Sequence, residues 1–333
     1  MSTLPDVTRF FHPVLEARQL GSGPVGVCIA GRRFALWRDG SRRPAAVADE
    51  CPHRRAPLSK GRVRPDGRLA CGYHGWNFDA EGRGRSPSQP SLTHCDTLSY
   101  QVVERFGYLW LAARETPISS FPAIGWEGFT QAGSFTTLFR APLPVALDNF
   151  SEDEHFPHVH FFLGWNETGL SELEFEAKSF DDRTEVQYRG PQRPSPWLPL
   201  LGVKEGDIYQ NEWVTRFDPV HAIFTFHWFD RKTGVERPLV VRTGVFMVPE
   251  TETTTRFHAL VFVKIGPSIY RGLQPLIKRA LIIVGRHDVG YDARWVAHMA
   301  ETRSDLEGMR LGKFDKPVIR NRKLLRTLYW GEV

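Results

Sequence analysis

Cys51 and His53, in the segment Cys51-Pro52-His53, and Cys71 and His74, in Cys71-Gly72-Tyr73-His74, are separated by seventeen residues between His53 and Cys71. Each segment offers one thiol and one imidazole. A [2Fe-2S] cluster that holds one iron by two thiolates and the other by two imidazoles needs that distribution, one ligand of each kind per loop. Neutral imidazoles in place of two thiolates leave such a centre less negative and easier to reduce than an all-cysteine cluster. The implied chemistry is one-electron transfer. Zinc sites usually group cysteines in one pair and histidines in the other, whereas the types are mixed here. A Cys51–Cys71 disulfide would leave both histidines without a role and would need an oxidising compartment that nothing else in the chain indicates. Gly61, Gly67, Gly72 and Gly75 lie in or beside the two segments, where a buried cluster requires tight turns and close backbone approach.

A second constellation occupies Asp148 to His160, DNFSEDEHFPHVH. Mononuclear iron that activates dioxygen commonly uses two histidines and one carboxylate on one face, with the opposite positions open. His155, His158 and His160 lie within six residues. Two of them reach one ion if the helix carrying them is distorted or ends there. An electron carrier upstream needs an acceptor, and this segment supplies a place for one.

These residues must be held by two kinds of scaffold. Short β-rich runs punctuated by Gly, Pro and Asp are predicted at Val25 to Ala30, Arg33 to Trp37, Ala45 to Ala48, Ser99 to Arg105 and Tyr108 to Ala112, giving a small β domain. Thr116 to Gly133 reads as a connector. A helix is predicted from Leu143 to Phe162, with Pro144 in its first turn. Strands follow at Glu172 to Phe180, Thr184 to Tyr188, Asp207 to Phe217, His221 to Phe229, Leu239 to Val248 and Thr254 to Ile265, an antiparallel set joined by hairpins. The chain ends in a helical stretch from Ile269 to about Arg303, interrupted at Gly285 and Gly290. A sheet crossed by a long helix encloses a cavity suited to a small apolar ligand. Tyr209, Trp213, Phe224, Phe226, Trp228, Phe246 and Phe257 are candidates to line it, and strand alternation assigns about half of them elsewhere.

Both motifs resemble those of the Rieske non-heme iron oxygenases, along essentially the whole chain. The first appears as CPHRRAPLSKGRV and CGYHGWNFDAEGR, and the second is similar to the family's Asp-Asn-x-x-Asp-x-x-His-x4-His pattern. The resemblance implies an α+β fold: an N-terminal all-β Rieske [2Fe-2S] domain over residues 1–117, then a helix-grip, START-like antiparallel sheet with a long C-terminal helix over 118–333 that carries mononuclear Fe(II). Cys51, His53, Cys71 and His74 match the cluster ligands. Asp148 and Asn149 match the opening of the second motif, His155 and His160 its iron ligands, and His158 a spacer. The family's bridging aspartate falls on Glu152, one methylene longer. Asp153 is its competitor, but the spacing that selects it puts Phe156 where a histidine belongs. The third iron ligand is expected on the C-terminal helix, at Asp292 in the run YDARWV rather than at Asp288.

The implied activity is that of a terminal oxygenase component: a monooxygenase using dioxygen and electrons from NAD(P)H through a separate reductase, with or without a ferredoxin. It would hydroxylate or demethylate a small hydrophobic aromatic, alicyclic or heterocyclic substrate, and assemble as a homotrimer. The alternatives are cis-dihydroxylation, and, from another class, an electron carrier or ligand-binding protein without iron catalysis. No nucleotide-binding glycine fingerprint is evident, which agrees with a separate reductase. Respiratory Rieske carriers have an extra disulfide between the cluster loops, and the matching positions here, Ala56 and Tyr73 or their neighbours, offer no cysteine. The expected potential is nearer about −150 mV than +300 mV.

Composition agrees. The 333 residues suffice for two cores, and the net charge of +5 lacks the basic-aromatic clustering of a nucleic-acid surface. Met1 to Phe11 contains no apolar leader core, and no long apolar run suggests a membrane span, so a cytoplasmic location is expected. Cys28 and Cys95 are read as reduced thiols. Arg54, Arg55, Lys60, Arg62, Arg64, Arg68, Arg83 and Arg85 crowd the cluster segments, as a solvated basic face or as a docking patch for an acidic electron donor.

Overall fold

The computed structural model describes residues 4–160, 164–195, 198–266, 271–300 and 305–332. It divides into one unit of Met1–Pro122 with Val248–Glu252, and a second of Ala123–Met247 with Thr253–Val333.

The first unit carries the β-branched and aromatic runs as β1 (His12–Glu16), β2 (Val25–Ile29), β3 (Arg32–Arg38) and β4 (Pro44–Ala48). Four two-residue strands follow, β5 (Arg62–Val63), β6 (Leu69–Ala70), β7 (Asn77–Phe78) and β8 (Gly84–Arg85), then β9 (Ser99–Arg105) and β10 (Tyr108–Ala113). A six-stranded sheet runs β1-β10-β9-β4-β3-β2, and the short strands make a separate sheet β5-β6-β7-β8. The five predicted strands are present, while β1 and the small sheet escaped prediction; the two-residue strands of that sheet have no readable alternation. Trp37, Val47, Leu58, Leu69 and Phe78 form one apolar cluster with Cys51 and Cys71. Trp37 is fully buried and donates its indole N–H to the Gly67 carbonyl at 3.0 Å. Burying its ring contributes roughly 5 kcal/mol, so the cluster loops are anchored on a stiff base.

The second unit begins with β11 (Thr130–Phe139), α1 (Leu143–Asn149) and α2 (Phe156–Val159). It continues through β12 (Glu174–Ser179), β13 (Arg183–Pro191), β14 (Ile208–Phe217), β15 (Val220–Phe229), β16 (Leu239–Thr251) and β17 (Thr254–Ile265), and closes with α3 (Gln274–Ala300) and α4 (Lys316–Leu324). One seven-stranded antiparallel sheet has the order β11-β17-β16-β15-β14-β13-β12. In β14 alternate residues are buried, Tyr209, Asn211, Trp213, Thr215 and Phe217, the period of a strand with one covered face. The expected α+β class, a β domain followed by a sheet with a long C-terminal helix, is borne out.

Four local expectations are corrected. The helix predicted from Leu143 to Phe162 is two helices, α1 and α2, separated by residues 150–155, and its end from 161 lies outside the described residues. Side chains break it: Ser151 Oγ donates to the Leu147 carbonyl at 2.8 Å, and Glu152 accepts from the backbone N–H groups of Glu154 and His155. Such bonds compete with the helical ladder. The connector ends early, because Thr130 already opens β11, a strand missing from the prediction. Helix α3 runs without interruption through Gly285 and Gly290, and its predicted ends at Ile269 and Arg303 lie outside the described residues. A Cβ at Gly285 would stand 3.2 Å from the Phe135 ring of β11, so that glycine marks close helix-strand approach rather than a break. Finally, α4 was not foreseen.

Candidate active site

The two cluster-loop segments fold alike. Cys51 N–H donates to the Ala56 carbonyl at 2.9 Å and Cys71 N–H to the Trp76 carbonyl at 2.7 Å, five residues ahead in each case. Arg55 and Gly75 return bonds to the Cys51 and Cys71 carbonyls, and both have positive φ, 59° and 73°. Each loop thus buries its cysteine, 1% exposed, and leaves its histidine at the surface. The His53 and His74 rings lie 4.6 Å apart, and Trp76 stacks on His53 at 4.8 Å with a 4° interplanar angle. Burial pushes the Cys51 thiol up to about 11 against the opposing backbone N–H groups of His53 and Arg54, with Cys71 raising it further. All four cysteines are free. Two buried neighbouring thiols ionise when a metal coordinates them, and with two adjacent imidazoles the donor set fits the mixed [2Fe-2S] centre.

Three of the nearby basic residues are engaged within the unit. Arg68 is buried, donating to Asn77 Oδ1 at 2.6 Å and to the Arg83 carbonyl at 2.6 Å, which ties the small sheet together. Arg83 pairs with Asp79 and Glu81, and Arg64 with Asp66.

In the second unit the break after α1 aims the histidines. On a continuous helix two residues five apart project about 140° from one another. Here α2 ends at Val159 and His160 is extended, at φ −103° and ψ 149°, so the Nε2 atoms of His155 and His160 come within 3.2 Å. Asp292 arrives from α3 with Oδ1 3.6 Å from His155 Nε2 and 3.4 Å from His160 Nε2. One ligand atom from each of the three residues lies within 4.8 Å of the others. Asp292 Oδ1 is buried without a hydrogen-bond partner, a lone pair that a cation would satisfy. This donor set fits a two-histidine, one-carboxylate iron site.

Of the competing carboxylates, Glu152 Oε1 accepts from His155 Nδ1 at 2.6 Å, which keeps the proton on Nδ1 and turns Nε2 toward His160 and Asp292. Asp153 turns the other way, accepting from Asn211 Nδ2 at 2.6 Å. Burial lifts Asp153 to about 8. For His155, burial pulls downward but the charge and hydrogen bond of Glu152, with Asp292, carry it up to about 9. Burial and the neighbouring His155 and Arg193 hold His160 well below the usual range. Asp292 is raised to about 7 by burial, against the pull of His155. His158 is exposed and outside the triad. Asp288 is also outside it, one turn along α3.

Beside the triad lies a cavity of about 630 Å3, lined by Asn149, Phe135, Phe150, Phe224, Phe226 and Trp228 among others. Phe224, Phe226 and Trp228 follow the period-two face of β15, whereas Tyr209, Trp213, Phe246 and Phe257 do not line it. Sequence reasoning missed the braces. Arg322 of α4 holds Asp148 with Nη2–Oδ2 at 2.6 Å and Nε–Oδ1 at 3.0 Å. Asn321 donates to Ser151 Oγ at 2.9 Å and accepts from Thr184 Oγ1 at 2.7 Å. Arg193 donates to the His160 carbonyl. No spacing signal joins partners 174 residues apart, such as Asp148 and Arg322.

Residues 10–99 match the family model of the Rieske [2Fe-2S] domain. The vanillate O-demethylase oxygenase subunit of Pseudomonas sp. (strain HR199 / DSM 7063) is 42% identical over 254 residues, 71% of this chain and 71% of that protein. Protein TIC 55, chloroplastic, of Arabidopsis thaliana is 30% identical over 257 residues, 74% of this chain and 45% of that protein. Its Pisum sativum counterpart is 29% identical over 219 residues, 62% of this chain and 39% of that protein, so the chain spans less than half the length of these two relatives. A crystal structure of dicamba monooxygenase bound to 3,6 dichlorosalicylic acid shares the fold, with a TM-score of 0.80, 20% identity and 97% of each chain covered. Among the described residues no helix is long and apolar enough to cross a membrane.

Proposed function

Because this chain belongs to the Rieske non-heme iron oxygenases, we propose that it is the terminal oxygenase component of a monooxygenase that hydroxylates or demethylates a small apolar molecule. The observation that carries the reading is the convergence of His155, His160 and Asp292 at the wall of an apolar cavity. The relative named vanillate O-demethylase oxygenase subunit supports demethylation as one outcome.

Cys51, His53, Cys71 and His74 would hold the Rieske cluster, and His155, His160 and Asp292 the mononuclear iron. When bound, the cluster relays single electrons and the ferrous iron activates dioxygen. The chain's own residues do the rest. Exposed His53 and His74 offer an entry for electrons from a reductase or ferredoxin. Glu152 holds His155 by its Nδ1 proton and would take the bridging role toward a cluster histidine of a neighbouring subunit in a homotrimer. Phe150, Phe224 and Trp228 exclude water and orient the substrate. Asn149, whose Nδ2 is buried without a hydrogen-bond partner, faces the same cavity.

Incubation with an NADH-driven reductase system, 18O2 and a panel of aromatic and polycyclic compounds tests this. One labelled oxygen in the product, or formaldehyde from a methoxy substrate, is expected. Two labelled oxygens would replace monooxygenation by dihydroxylation, and a wild-type protein with only the cluster's iron would remove the catalytic reading.

A further inference from the structure

Asp288, set aside as an iron ligand, lines the substrate cavity one helical turn before Asp292. Its Oδ1 is buried and has no hydrogen-bond partner. His287 Nδ1 stands 3.8 Å away, beyond hydrogen-bond distance, and Arg193 acts on Asp288 only through its charge while donating to the His160 carbonyl. A buried carboxylate left in this condition is costly unless something that enters the cavity completes it. Among the described lining residues two other carboxylates are already engaged, Asp292 with His155 and His160 and Asp153 with Asn211 Nδ2, and Ser195 and Thr243 contribute only hydroxyls.

Size and charge narrow what enters. A cavity of about 150 Å3 suffices for benzene. This one has about 630 Å3, room for a fused-ring skeleton. Among the described lining residues there is no lysine or arginine, so a substrate carboxylate placed beside Asp288 would meet its charge with no such side chain in the wall to offset it. Burial raises Asp288 only to about 6, which leaves it mostly ionised at neutral pH.

We propose that Asp288 is a specificity-determining residue: it accepts a hydrogen bond from the hydroxyl of an uncharged, fused-ring substrate and rejects carboxylated ones. This rests on the oxygenase reading of the cavity as the substrate chamber, and it deepens that reading by naming the class of substrate. Calorimetric titration of the oxidised protein after incubation with ferrous iron, without reductase, tests it through binding alone. The probes are 2-naphthol, 2-naphthoate and naphthalene at pH 7.5.

A charge-assisted hydrogen bond makes 2-naphthol at least about tenfold tighter than either other probe. In Asp288→Leu, 2-naphthol falls to the level of naphthalene. Asp288→Asn, which keeps the shape and an acceptor oxygen, holds 2-naphthol within about threefold of wild type while the bias against 2-naphthoate shrinks to about threefold or less. Wild-type protein that binds 2-naphthoate as tightly as 2-naphthol overturns the proposal, as does an Asp288→Leu protein that keeps its preference for 2-naphthol. If the leucine variant does not fold, the asparagine variant decides. Iron content, measured in parallel, separates the two readings: intact discrimination with no mononuclear iron would sink the oxygenase and spare Asp288, and the reverse would sink only Asp288.

Discussion

The two candidate metal centres are built on opposite plans. In the first unit each loop supplies one thiol and one imidazole within four residues, and the same hydrogen-bond pattern closes both loops. Its cysteines sit in the apolar core and its histidines at the surface. In the second unit two ligands come from a helix break and the third from α3, more than a hundred residues later, and all converge beside an apolar cavity. One plan suits a carrier that must exchange electrons with a partner. The other suits chemistry that must be kept from water. A loop site depends on local geometry, whereas the triad depends on packing far along the chain, and the two should fail differently.

The largest separation is expected from removing one ligand of each. Asp292→Ala should lower total iron from about three to about two per chain, with the visible spectrum of the cluster unchanged. Turnover should fall by more than about 100-fold, beyond the ten- to hundredfold typical of losing an outer partner of a ligand. His74→Ala should instead abolish the cluster spectrum. Full iron in Asp292→Ala would end the assignment of the triad.

Glu152→Gln sharpens the comparison at the next level. The glutamine keeps the shape but removes the charge that accepts the His155 Nδ1 proton. Turnover should drop about 10- to 100-fold while most of the iron stays. Glu152→Asp should restore part of the rate, and the rate of cluster reoxidation in a single turnover should track it. Unchanged reoxidation in Glu152→Gln would leave Glu152 as an anchor for His155 with no part in electron transfer.

The same contrast explains what the sequence could disclose. Cys51, His53, Cys71 and His74 were legible because their spacing is local and their chemistry is mixed within each loop. His155 and His160 were legible as a pair, but the break that aims them was not, since Ser151 and Glu152 act through side-chain bonds that leave no periodic trace. Asp292 was separated from Asp288 by resemblance to a ligand-bearing segment, and packing supplies the physical reason: Asp292 faces His155 and His160, while Asp288 faces the cavity. Gly285 looked like a helix breaker because a sequence does not reveal that Phe135 presses against it. The braces from Asn321 and Arg322 join α4 to Ser151 and Asp148, 170 and 174 residues earlier, where no local pattern connects them.

Arg322→Ala tests how far the second plan depends on such remote support. Its guanidinium pairs with Asp148, and both side chains are mostly buried, at 14% and 17% exposure. Removing one partner leaves a carboxylate whose burial already raises it above the usual range. A loss of about 3 kcal/mol is expected from urea unfolding, at the low end for a broken buried pair because some solvent reaches it. Iron should bind more weakly in the folded variant, with the cluster untouched. Equal weakening of both centres would break the distinction between local and remote construction.

The smallest effect concerns a histidine of the first unit that holds no metal in either plan. His12 is fully buried, and its Nδ1 donates to the Phe10 carbonyl at 2.9 Å. Burial lowers it from 6.5 to about 3, with the Phe10 carbonyl opposing. Because the folded value lies below the unfolded one, the unfolded chain takes up the proton first as pH falls. The neutral ring's full contribution is therefore present above pH 6.5 and declines down to about pH 3. At pH 5 the decline amounts to about 2 kcal/mol. His12→Asn keeps an N–H placed for the same carbonyl but cannot be protonated. Urea unfolding at pH 7.5 and pH 5 should show the variant losing less stability between the two than the wild type. Equal losses would mean that acid enters this unit elsewhere, and that His12 is protonated without unfolding it.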